Sequence, residues 1–86
     1  MDEQINDYEH DGNRPRVIYE HTSSYGVLTM VVTTYWGIVM VTTVPSFGTE
    51  LCFTHAGRFY TRRMQFAHAR RFCITLADRF AREVAM

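Results

Sequence analysis

Polar and acidic residues fill positions 1–15 (MDEQINDYEHDGNRP). Short runs rich in β-branched and aromatic residues then follow one another as far as Thr54, and beyond Thr61 the apolar positions recur every three or four residues. A period of two gives way to a period of 3.6, which is how strands followed by a helix look in sequence. The first strand is expected at 16–21 (RVIYEH), followed by a Thr-Ser-Ser-Tyr-Gly turn. Residues 26–44 would extend on the order of 60 Å as one strand, too long for so small a chain, so they must fold back once. The break falls at Thr34, Tyr35, Trp36 and Gly37, giving strands at 26–34 and 37–44 with an open question of register at the turn. Pro45-Ser46-Phe47-Gly48 ends the third strand, and 49–54 (TELCFT) reads as the fourth.

His55-Ala56-Gly57-Arg58 reads as a turn and Thr61 as the N-cap of a helix over 61–85, since its hydroxyl can accept an amide of the first turn. Apolar side chains at 69, 72, 73, 76, 77, 80, 81 and 84 make one stripe along it. The expected fold is therefore α+β: a four-stranded antiparallel β-meander packed on one C-terminal amphipathic helix. Residues 1–15 are expected to form an acidic, flexible N-terminal tail and residues 16–86 a single domain.

One helix covers one face of a sheet, with Phe72, Leu76, Phe80 and Val84 as the covering residues. Both alternations of the central strands are nonetheless apolar. Val27, Val31 and Tyr35 oppose Leu28, Met30 and Val32, and Ile38 and Met40 oppose Val39 and Val41. Strands apolar on both sides are usually buried on both sides. The second face is thus expected to meet a partner, either a second copy of the chain or another protein.

Composition narrows the class. With 86 residues and 47% hydrophobic residues the chain suffices for one small core. The formal net charge of zero conceals a division: residues 1–50 carry seven acids and two arginines, and residues 51–86 carry seven arginines and two acids. A chain divided in this way can offer two charged surfaces. The start lacks a basic region followed by an apolar run, which points away from a cleaved secretory signal, and two cysteines permit at most one disulfide. A cytoplasmic protein with reduced thiols is expected. Gly26–Val44 has the length of a membrane span, so a single-span membrane peptide stands as an alternative. Its content of Val and Thr, with Tyr35 and Trp36 in mid-segment, suits strands better.

Candidate chemistry is sparse. Cys52, His55, His68 and Cys73 could in principle bind zinc. But His68 and Cys73 lie five apart on a helix and point about 140° away from each other, and Cys73 belongs to the apolar stripe. Cys52 and His55 lack an orienting acid, and the five glycines are spread as turn punctuation and form no phosphate loop. No enzymatic activity, cofactor or metal is expected.

The candidate binding residues are Arg58, Tyr60, Arg62, Arg63, Arg70 and Arg71, which could neutralise phosphates or meet an acidic partner, together with the hairpin aromatics Tyr35 and Trp36. The acidic residues Asp2, Glu3, Asp7, Glu9 and Asp11 could imitate a phosphate backbone. In size, lack of enzymatic motifs and sheet-plus-helix economy the chain resembles the small inhibitors encoded by phages and other mobile elements, anti-CRISPR proteins among them. That resemblance rests on no motif. It implies a non-enzymatic protein that binds, and inhibits or regulates, a macromolecular partner. A dimeric nucleic-acid-binding regulator using the arginine-rich helix is the alternative.

Overall fold

The computed structural model describes residues 14–46 and 48–85. Five antiparallel strands form one sheet in sequence order, β1 (Arg16–Thr22), β2 (Leu28–Thr34), β3 (Gly37–Pro45), β4 (Glu50–His55) and β5 (Arg58–Arg63), followed by α1 (Phe66–Ala85). The α+β meander with a C-terminal helix is as expected, with one strand more. The acidic positions Asp2, Glu3, Asp7, Glu9 and Asp11 lie outside the described residues.

The fifth strand replaces the start of the expected helix. Ala56 and Gly57 both adopt positive φ, 51° and 79°. Two consecutive left-handed residues make a tight two-residue hairpin whose twist matches that of the flanking strands. The chain therefore reverses at His55 and pairs Phe59, Tyr60 and Thr61 with Thr54, Phe53 and Cys52. Thr61 sits within β5 and caps nothing, and α1 begins five residues later. Ala56 bears a Cβ in a conformation that disfavours one. Ala56→Asn is expected to raise stability by about 0.5–1 kcal/mol, measured as a higher urea midpoint at unchanged slope.

The other turns rest on small hydroxyl side chains. Thr34 Oγ1 accepts the amides of Trp36 and Gly37 at 2.9 and 3.0 Å and donates to the Gly37 carbonyl at 2.9 Å, closing the β2–β3 hairpin around Tyr35 and Trp36. Thr34 then faces Gly37 in a continuous register running to Leu28 opposite Thr43. Ser23 Oγ likewise accepts the amides of Tyr25 and Val27, both at 3.1 Å, between β1 and β2.

The register sorts the sheet into two faces. Leu28, Met30 and Val32 of β2, Val39, Val41 and Thr43 of β3, and Leu51 and Phe53 of β4 are buried on the face that meets α1. They pack against Ala69, Cys73, Leu76, Ala77, Phe80 and Ala81, with Val17, Tyr60 and Phe72 partly buried at the margin. Three alanines on the buried stripe let the helix backbone approach the sheet closely. Val84 departs from expectation, because it is 78% exposed at the last turn, beyond the end of the sheet contact.

Gly26–Val44 forms the β1–β2 turn's end, β2 and most of β3. No helix among the described residues is long and apolar enough to cross a membrane.

Candidate interaction surfaces

The sheet face away from α1 is assembled from every second residue of each strand: Tyr19 and His21, then Thr29, Val31 and Thr33, then Ile38, Met40, Thr42 and Val44, then Glu50, Cys52 and Thr54, then Phe59, Thr61 and Arg63. None of these is fully buried. Tyr19, Ile38, Met40 and Phe59 are 53%, 68%, 56% and 74% exposed. Tyr19, Val31 and Met40 form one row across three strands, and Thr29, Thr42, Thr54 and Phe59 form the next. The face combines β-branched and apolar side chains with charges at its margins, Arg16 beside Thr33 and the opposed pair Glu50 and Arg63. At the end of the long β2–β3 hairpin, Tyr35 and Trp36 meet edge to face, with ring centroids 5.1 Å apart, and both are exposed.

The arginine cluster is divided by the structure. Arg58, Tyr60, Arg62 and Arg63 belong to β5 and only Arg70 and Arg71 to α1. Several are also engaged. Arg70 Nε donates to both Glu20 carboxylate oxygens, at 2.9 and 3.1 Å, fastening α1 to β1. Arg58 pairs with Glu83 at 3.1 Å, and Arg79 reaches the same carboxylate at 3.9 Å. Arg82 pairs with Asp78 at 2.9 Å. The basic helix thus carries its own acids, and each exposed pair contributes at most about 1 kcal/mol.

Arg62, Arg63 and Arg71 form no ion pair among the described residues. Arg62 lies over the Phe72 ring at 4.8 Å from its centroid. Together with Met64, His68, Arg71 and Thr75 these two line a shallow depression of about 250 Å³ between β5 and the first half of α1. Its rim is basic and its floor apolar. Position 68 could not be placed here from sequence, because the groove exists only once β5 lies beside the helix. One local signal for β5 was legible: Ala-Gly flanked by Cys-Phe-Thr-His and Arg-Phe-Tyr-Thr, a two-residue spacing between strand-forming runs.

The cysteines and histidines weighed as metal ligands occupy separate places. Cys52 is half-buried on the open face, and Cys73 is buried beneath the other face with its sulfur 3.3 Å from Thr43 Oγ1. His55 stacks on Phe80 at 5.1 Å, its Nδ1 2.9 Å from the Met40 carbonyl, and His68 lies in the groove. Among the described residues no three histidine, cysteine or acidic side chains come together to hold a metal.

Burial pushes the Cys73 thiol above its ordinary value of 9.0. The Thr43 hydroxyl offsets part of that rise, and the Glu20 carboxylate adds to it. The neutral thiol is therefore the folded form, and the unfolded chain ionises first as pH rises. Stability contributed by this group is complete below pH 9.0 and lost above it. Unfolding free energies measured at pH 8 and pH 10 are expected to fall more in the wild type than in Cys73→Ala. Because thiolate is the reactive form, a disulfide reagent should modify Cys52 in the native protein and Cys73 only on unfolding. Equal rates at both positions would contradict this placement.

The chain matches no protein-family model, no curated protein and no solved structure.

Proposed function

We propose that this chain is a non-enzymatic interaction protein that binds a protein partner through the open face of its sheet and the Tyr35–Trp36 hairpin, and inhibits or regulates that partner. The observation that carries this reading is the face that no described residue covers, where Tyr19, Ile38, Met40 and Phe59 stand more than half exposed while the central strands are buried under α1 on the opposite face. Exposed apolar side chains on a rigid sheet are ready to be buried without reorganisation, which lowers the entropic cost of association. Tyr and Trp are also the residue types that most often dominate interface energetics. A second copy of the chain could occupy the same face. Two thiols on opposite sides of the sheet suit a reducing compartment such as the cytoplasm.

The competing reading, a dimeric nucleic-acid-binding regulator, draws support from the basic groove at Arg62, His68 and Arg71. The pairing of Arg58, Arg70, Arg79 and Arg82 with carboxylates weakens it. Affinity capture of the tagged full chain from a bacterial lysate, with and without nuclease, separates the two. A stoichiometric protein that survives nuclease supports the interaction reading. Partners that vanish with nuclease would replace it with the nucleic-acid reading, and duplex affinity should then fall steeply with salt.

A further inference from the structure

We infer that the outer edge of β5 is a docking site for an extended acidic segment of a partner protein, which joins the sheet as a sixth strand and sets its carboxylates on the Arg62–His68–Arg71 groove. This rests on the interaction-protein reading but uses a different surface from the open face.

The backbone supplies the first half of the case. Arg58 faces His55 directly across the two-residue turn, and this closing pair exchanges both of its hydrogen bonds. Alternation along an antiparallel ladder then directs Tyr60 and Arg62 inward to β4 as well, and turns the N–H and C=O groups of Phe59, Thr61 and Arg63 outward. No other described strand flanks β5, and Phe59, Thr61 and Arg63 are exposed. Alternating donors and acceptors along an edge match the main chain of another strand. A nucleic-acid backbone offers mainly acceptors and would leave the carbonyls unmatched.

The two edges of the sheet differ. On β1 the register shifts between Val17 and Tyr19, leaving Ile18 unpaired. A bulge of this kind protects an edge from pairing. β5 pairs residue for residue from Arg58 to Arg63 with no shift in register.

Charge selects the occupant. β5 carries Arg58, Arg62 and Arg63 and no acid, so antiparallel pairing with the β5 of a second copy would oppose like charges. Arg58 is already matched by Glu83, whereas Arg62 and Arg71 have no acidic partner among the described residues and sit on the groove beside the edge. In a strand added here, every second side chain falls on the α1 side of the sheet, beside Arg62, Phe72 and Arg71. Acidic residues at those positions gain charge-assisted hydrogen bonds, and their stems rest on Met64 and Phe72.

The test is an amide-resolved NMR titration of the full chain with two capped ten-residue peptides, one alternating Thr and Glu and the other alternating Thr and Lys. The acidic peptide is expected to shift the amides of Phe59, Thr61 and Arg63 and to slow their exchange, and the lysine peptide to bind at least tenfold more weakly. Arg62→Gln/Arg71→Gln, both at exposed positions, should weaken the acidic peptide at least tenfold. Thr61→Pro should weaken it at least as much, because it removes an outward amide and no bond to β4. Equal binding of both peptides, shifts confined to other strands, indifference to both variants, or self-association through β5 without peptide would each overturn the inference. If the peptide fails while Ile38→Glu/Met40→Glu still loses the captured protein, the edge proposal falls and the open-face reading stands. Retention of that protein by the open-face variant is the failure of the other reading.

Discussion

Phe53→Ala is expected to cost about 3–5 kcal/mol, the usual range for truncating a buried aromatic side chain. Phe53 is completely buried at the centre of the α1-facing sheet surface, between Thr43 on β3 and Tyr60 on β5. It meets Phe72 of α1 edge to face, with ring centroids 5.1 Å apart. Removing the ring leaves a cavity bounded by three strands and a helix, none of which can close it without losing other contacts. A domain of this length has on the order of 4–13 kcal/mol in total, so the variant forfeits a large fraction of it. Each kcal/mol corresponds to about 4–8 °C for a domain of this size, so thermal unfolding should move down by at least about 12 °C. Phe59→Ala, one residue from Tyr60 but 74% exposed, is the control and should change stability by less than about 0.5 kcal/mol. A loss below 1 kcal/mol for Phe53→Ala would contradict the placement of β4 at the centre of the core.

The second large effect concerns binding. Ile38→Glu/Met40→Glu should leave the thermal midpoint within a few degrees of wild type, because the two side chains are 68% and 56% exposed and face away from the core. Affinity for the captured partner should fall at least a hundredfold. Each glutamate would be desolvated against an apolar partner surface with no cation opposite it, and an unpaired buried charge costs several kcal/mol. Neither position has a described basic neighbour directly across the strands, since Ile38 faces Thr33 and Met40 faces Val31. An unfolded variant would instead assign these residues to the fold. A folded variant of undiminished affinity would move the interface elsewhere.

Much of the fold was legible because local preference and global packing agree. The break at Thr34–Gly37 was forced by length and met by a Thr34 side chain that satisfies the turn amides. The stripe at 69, 73, 76, 77, 80 and 81 is buried as its period requires. The fifth strand was missed because Thr61 reads equally well as an N-cap and as a strand residue. The conflict was decided by Ala56, whose positive φ no propensity for alanine would foretell. The basic cluster was legible only as composition. Neighbours in sequence such as Arg62 and Arg63 point to opposite faces of β5, while Arg62 and Arg71, nine positions apart, share a groove.

By itself the sequence determined the α+β class, the order of strands before helix, the buried face of α1 and the excess of apolar side chains on both faces of β2 and β3. All of these follow from periodicity, which is a property of neighbouring residues. The tertiary structure alone decided which arginines are neutralised and which remain open among the described residues. It also decided that one sheet face is left uncovered by the described residues, and that one edge is bulged while the other is regular. Which arginines are neutralised depends on the pairing of Glu20 with Arg70 across 50 positions and of Arg58 with Glu83 across the sheet–helix boundary. Such contacts are set by how the elements pack and leave no trace in local pattern.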